Sequence, residues 1–142
     1  AVGAEANTEL DLDLRLRTNV FLGNYVLLTV HSSNLIGGGV QGNLEQSGGG
    51  EASANMELFL GDRLRFKTYR FPKAEITVDL AGYYGLTIRD RWRFTTTTYL
   101  RYEVIRDLQL GLAFYEQFDS KPLAGGPALN DYRFATTIGY VF

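Results

Sequence analysis

The sequence predicts an all-β fold, an antiparallel transmembrane β-barrel of about eight strands (eight to ten) that forms a single domain over residues 1–142. Three observations predict it. Apolar and polar residues alternate over runs of about 11 to 15 residues, longer than the 5 or 6 typical of soluble strands and enough for a tilted membrane strand. Aromatic residues on the apolar side gather toward the ends of the runs: Trp92 and Phe94 against Tyr102, then Tyr132 and Phe134 against Tyr140 and Phe142. Two interfacial girdles require that placement. The exceptions on the apolar side, Arg70 and Glu116, stand beside turns, where headgroups receive charge at low cost.

Strands are predicted at 8–22, 25–31, 34–46, 51–60, 63–71, 74–88, 92–105, 108–118 and 131–142. The first contains ELDLDLRLR, with Leu10, Leu12, Leu14 and Leu16 opposite Glu9, Asp11, Asp13, Arg15 and Arg17. In AEITVDLAGYYGLTI the even face is Ile76, Val78, Leu80, Tyr84 and Ile88, and the odd face includes Glu75, Thr77, Asp79 and Tyr83. RWRFTTTTYLRYEV sets Trp92, Phe94, Leu100, Tyr102 and Val104 against Arg91, Arg93, Tyr99, Arg101 and Glu103. LQLGLAF repeats the pattern through Leu108, Leu110, Leu112 and Phe114. Pro72, Pro122 and Pro127 all fall between strands, where no ladder hydrogen bond is lost.

Single-chain bacterial barrels have even strand numbers, so one of two doubtful breaks, Gly23-Asn24 or Gly61-Asp62, is expected to lie inside a strand. At Gly61-Asp62 a loop is the cheaper choice, because a continuous strand puts Asp62 on the apolar side. Gly37 to Gly39 and Gly48 to Gly50 mark bends or a glycine-rich strand face in a crowded interior. GAEANTELDLDLRLRT is echoed by GGEASANMELFLGDRLRFKT, which suggests duplicated hairpins.

Composition removes several classes. A net charge of -2 with no basic tail gives no footprint for nucleic acid. Without cysteine there is no disulfide, thiolate or Cys-zinc chemistry. One histidine and scattered carboxylates make a poor metal site, and the glycine triplets follow no strand-to-helix transition that could cradle phosphate, so no cofactor is expected. No apolar run is long enough for a membrane helix. The opening AVGAEANTEL lacks the basic start and apolar centre of a secretory signal, which is expected to have been removed or never present.

If lipid meets the apolar face, the odd face becomes a lumen too polar to be dry and, at about eight strands, too narrow for a wide pore. Arg15, Arg17, Arg91, Arg93 and Arg101 would neutralise Asp11, Asp13, Glu75, Asp79 and Glu103 across it. The competing arrangement is a soluble ligand-binding barrel with the apolar face inward.

RFPKAEITVDL, RWRFTTTTYLRYEVIRDLQLGLAFYEQFDSKP and NDYRFATTIGYVF resemble the C-terminal part of a bacterial family of salt-induced outer-membrane proteins, from about Arg70 onward. The most specific pieces are Tyr115 with Phe118-Asp119-Ser120-Lys121-Pro122, then Asn130-Asp131-Tyr132 and Gly139-Tyr140-Val141-Phe142. The resemblance implies the bacterial outer membrane and its lipid as surroundings, and a structural or envelope-stress role. Ile138, Tyr140 and Phe142 are similar to the terminal signal read by the barrel-assembly machinery. Loop 119–130 is the candidate contact for an envelope protein partner.

His31, Ser33, Asn34 and Glu45 resemble the His-x-Ser-Asn and downstream Glu of outer-membrane lipid A deacylases. That implies a base, a nucleophile and an orienting carboxylate for ester hydrolysis. In that family the motif lies in the hairpin nearest the C-terminus, whereas here it precedes most strands, and a polar turn is the alternative. Three further functions therefore stand beside the structural one: a lipid A esterase, a small-solute channel and a soluble binding barrel.

Overall fold

A computed structural model describes residues 2–7, 12–47, 53–121 and 129–140, with side chains at 18–44, 54–121 and 130–140. Eight strands follow one another: β1 (Val2–Asn7), β2 (Leu12–Leu28), β3 (Ser32–Ser47), β4 (Ser53–Lys67), β5 (Ala74–Gly85), β6 (Trp92–Ile105), β7 (Leu108–Asp119) and β8 (Leu129–Tyr140). Each pairs antiparallel with its sequence neighbour in one sheet of order β1 to β8. Among the described residues no ladder joins β8 to β1, so the sheet is not closed into a barrel.

Both doubtful breaks are internal to strands, and a short strand precedes the first one expected. Gly23-Asn24 lies within β2, paired with Gly37 and Ile36. The irregularity comes later, between Tyr25 and Leu27. Gly61-Asp62 lies within β4, in register with Gly37 and Ile36 on one side and Ala81 and Leu80 on the other. The expected loop at Asp62 is thus corrected to continuous strand. What stabilises Asp62 on the apolar side is a neighbour: Asn34 Nδ2 donates to its Oδ1 at 2.5 Å.

The turn at Arg106-Asp107 needs a left-handed residue, and Asp107 adopts φ 70°; Asp90, in the β5–β6 connection, has φ 59°. Asp tolerates this region better than most residues because its short side chain bonds locally.

Registers keep parity almost everywhere: Phe21 pairs with Gly39, Gly39 with Phe59, Phe59 with Tyr83, Tyr83 with Arg93, and Arg93 with Asp119. Odd residues therefore share one face from β2 to β8. The sheet curls around that face, since odd residues of β4 to β8 together line a cleft of about 460 Å³ and those of β2 to β6 another of about 430 Å³. Gly37 and Gly39 belong to this crowded interior; a Cβ on Gly37 would lie 2.4 Å from the Phe21 ring.

The buried polar side chains of the strands are on the odd face: Gln41, Asn43, Asn55, Glu57, Glu103 and Asp119. The even face carries exposed Val20, Leu22, Leu60, Trp92, Phe134 and Ile138. This inverts the usual distribution, in which large apolar side chains fill the interior.

Candidate functional site

Glu57 organises the polar interior. It is 0 % exposed, an environment that excludes an ionised carboxylate unless partners replace its water. Arg93, two strands away, provides them: its Nε donates to Oε1 at 2.9 Å and its Nη2 to Oε2. Asn43 Nδ2 and Asn55 Nδ2 add bonds of 3.1 Å each to the two carboxylate oxygens. Gln41 Nε2 in turn donates to Asn43 Oδ1 at 2.8 Å.

Arg91 extends the cluster to β7. Its Nε and Nη2 bond Asp119 at 3.1 and 2.5 Å, while Nη1 lies 3.9 Å from Glu57. The backbone N–H of Lys121 also donates to Asp119 at 3.0 Å. Planar forks suit such pairing, because two parallel N–H bonds match a carboxylate edge. The Arg93 guanidinium also lies 4.6 Å from the centre of the Tyr83 ring. Side chains from β3, β4, β6 and β7 are thereby tied together at the end of the sheet where the β5–β6 and β7–β8 connections lie.

Farther along the same face, Arg63 pairs with Asp79, and Arg65 bonds Glu75 through Nε at 2.8 Å and Nη2 at 2.5 Å. Lys67 and Arg101 share Glu75 at 4.0 and 3.7 Å. At the opposite end Glu103, 3 % exposed, accepts bonds from the backbone N–H groups of Lys73 and Asp107. Its carboxylate also faces the Lys73 ammonium at 3.7 Å.

Of the network expected from sequence, Arg91, Arg93, Asp79, Arg101 and Glu103 are thus placed in ion pairs on one face. The partners are not the ones that sequence named, apart from Glu75. Glu57, Asp119 and Arg63 were missed; Glu57 stands at an odd position in the alternating stretch ANMELFL, the signal that could have found it. Asp11 lies outside the described residues, and only the backbones of Asp13, Arg15, Arg17 and Glu45 are described.

The His31, Ser33 and Glu45 constellation is not assembled. His31 sits in the β2–β3 turn, where Nδ1 is 3.0 Å from the Lys67 carbonyl and the ring packs on Tyr69. Ser33 pairs with Arg65, near the same turn. Glu45 pairs with Ser53 at the far end of β3. Twelve residues of extended chain separate Ser33 from Glu45, roughly 40 Å at about 3.3 Å per residue. No carboxylate of that strand can orient His31. Among the described residues, no three His, Cys, Asp or Glu side chains converge as a metal site would need.

Ile138 and Tyr140 lie on the even face of β8, 76 % and 57 % exposed, while Phe142 is outside the described residues. Most of loop 119–130 is likewise outside them.

No match was found among curated proteins or solved structures. A family model described as protein of unknown function, DUF481, matches residues 7–142. With all but the first few residues covered by that match, the chain belongs to the DUF481 family.

Proposed function

We propose that the sheet closes into a transmembrane β-barrel of a bacterial outer membrane, with a structural or envelope-stress role and a lumen plugged by its own ionic side chains. One observation carries this reading: large apolar side chains are exposed while a carboxylate at 0 % exposure is held by the guanidinium fork of Arg93. In water such an arrangement forfeits the hydrophobic effect; in hydrocarbon it places each face in its preferred solvent.

The aromatic rows support it. Tyr84 pairs with Trp92 and Phe94 with Phe118 at one end of the even face, while Tyr102 and Tyr140 pair with leucines at the other. Ten residues from Trp92 to Tyr102 span roughly 33 Å along a strand, about 25 Å once tilted, the height of an outer-membrane apolar band. The resemblance to salt-induced outer-membrane proteins agrees with this address. Outer-membrane lipid is then the chief partner, the assembly machinery would engage Ile138, Tyr140 and Phe142, and loop 119–130 is the surface for an envelope protein.

The test is refolding into lipid vesicles. Leu60→Arg or Leu80→Arg should cost about 2–4 kcal/mol near the bilayer centre, whereas inward Thr97→Gln should change little. Equal losses would remove the membrane assignment. A lipid A esterase finds no support in the separated His31 and Glu45, and release of acyl chains from lipid A that disappears in Ser33→Ala would restore it.

A further inference from the structure

The larger cleft is built unlike the plug beside it. Arg63, Arg65 and Arg101 line it from β4 and β6, with Glu75 and Asp79 from β5 between them. Among the described residues, four cations (these three and Lys67) share the two carboxylates. The excess is not hidden. The guanidinium-bearing side chains of Arg63, Arg65 and Arg101 are 60 %, 50 % and 65 % exposed, against 30 % for Asp79 and 20 % for Glu75. The carboxylates form the floor that holds the arginines upright, and a solute entering the cleft meets positive charge.

Facing this cationic wall, the odd positions of β7 and β8 are small, Gly111, Ala113, Ala135 and Thr137, with Leu112 of β7 beside them. A lumen whose sole purpose was to be filled would place bulk there, as Glu57, Arg91 and Arg93 fill the other end. Among the described residues about 460 Å³ stays open, edged by Tyr99.

We propose that this cleft binds a small phosphate-bearing oxyanion, held by the outward N–H groups of Arg63, Arg65 and Arg101. Guanidinium forks match tetrahedral oxyanions in geometry and charge. The site rests on the curl of the sheet rather than on the solvent outside it. Failure of the lipid test above would therefore leave it standing, and its own failure would leave the barrel standing.

The experiment is calorimetric titration of the folded full chain in neutral detergent micelles with sodium phosphate, against sodium chloride at matched ionic strength. Expected are a saturable one-to-one heat with phosphate alone, about tenfold weaker binding in Arg101→Gln, and unchanged binding in Arg89→Gln at the opposite end of the sheet. Arg101 is the variant of choice because its carboxylate contact is long and its side chain exposed, so folding should survive; an unchanged circular dichroism spectrum checks this. A lipid headgroup carries the same chemistry, and short-chain phosphatidylglycerol in the micelles separates the sources. Suppression of the phosphate heat assigns the site to headgroups, and persistence assigns it to free solute. No saturable heat, or equal binding by Arg101→Gln and the unaltered chain, overturns the proposal.

Discussion

The rings of Phe21 and Phe59 stack at 5.9 Å with an interplanar angle of 12°, although the strand β3 lies between them. They meet because the residue in register with both is Gly39, which leaves no side chain in the way. Phe59 continues the row to Tyr83 at 5.8 Å, and Tyr83 meets Arg93. Gly39→Val should break this row and lower unfolding stability by about 1–3 kcal/mol through overpacking against backbone. Gly82, on the outer face, has nothing within 4 Å of a Cβ, so Gly82→Ala should be neutral. Urea unfolding in micelles followed by Tyr and Trp fluorescence distinguishes the two.

Glu57 and Arg93 form a deeply buried pair, with side chains 1 % and 11 % exposed. Removing one charge strands the other without water, so Glu57→Gln should cost about 3–5 kcal/mol. Arg65→Gln at a half-exposed pair should cost no more than about 1 kcal/mol, because solvent already screens it. The ratio between these losses, read from urea midpoints, checks that burial and not charge count sets the energetics.

Much of this architecture was legible from alternation, because a period of two assigns faces without knowledge of partners. Strand count was harder. Gly23-Asn24 and Gly61-Asp62 carry turn-forming residues, yet Gly23 sits where a Cβ would lie 2.7 Å from the Phe21 ring, a packing reason invisible in one strand's sequence. Pairing was least legible. Glu57 meets Asn43 and Arg93 across separations of 14 and 36 residues, and no local pattern encodes register at that range. For the same reason His31 and Glu45 look close in the sequence and lie at opposite ends of β3.

Asp62 is a carboxylate within β4 on the even face, flanked by Ile36 and Leu80. If hydrocarbon covers that face, Asp62 is tolerated only through Asn34. Asp62→Leu should then stabilise the vesicle-inserted protein by about 1 kcal/mol, a fraction of what a basic residue costs at that depth. Asn34→Ala should destabilise the parent chain and be silent in the Asp62→Leu background. A loss of stability in Asp62→Leu would mean that water, not lipid, meets the sheet there.

If the sheet closes as proposed, the buried ionic cluster has a consequence for transport. Asn43, Asn55, Glu57, Arg91, Arg93 and Asp119 bridge the strands at one end of the inner face, and five of them are less than a tenth exposed by residue, Arg93 being the exception. An ion crossing there must displace side chains that are already bonded to one another, which costs several kcal/mol per buried charge. Conductance in planar bilayers should accordingly be close to the membrane baseline for the unaltered chain. Arg91→Ala removes the bridge between Glu57 and Asp119 without touching the Arg93 fork, and it leaves two carboxylates at the constriction. Current should appear, favour cations and fall when divalent cations bind those carboxylates. Steady open-channel currents of the same size with and without Arg91 would show that the path avoids this cluster, and that the side chains there brace the strands without closing anything.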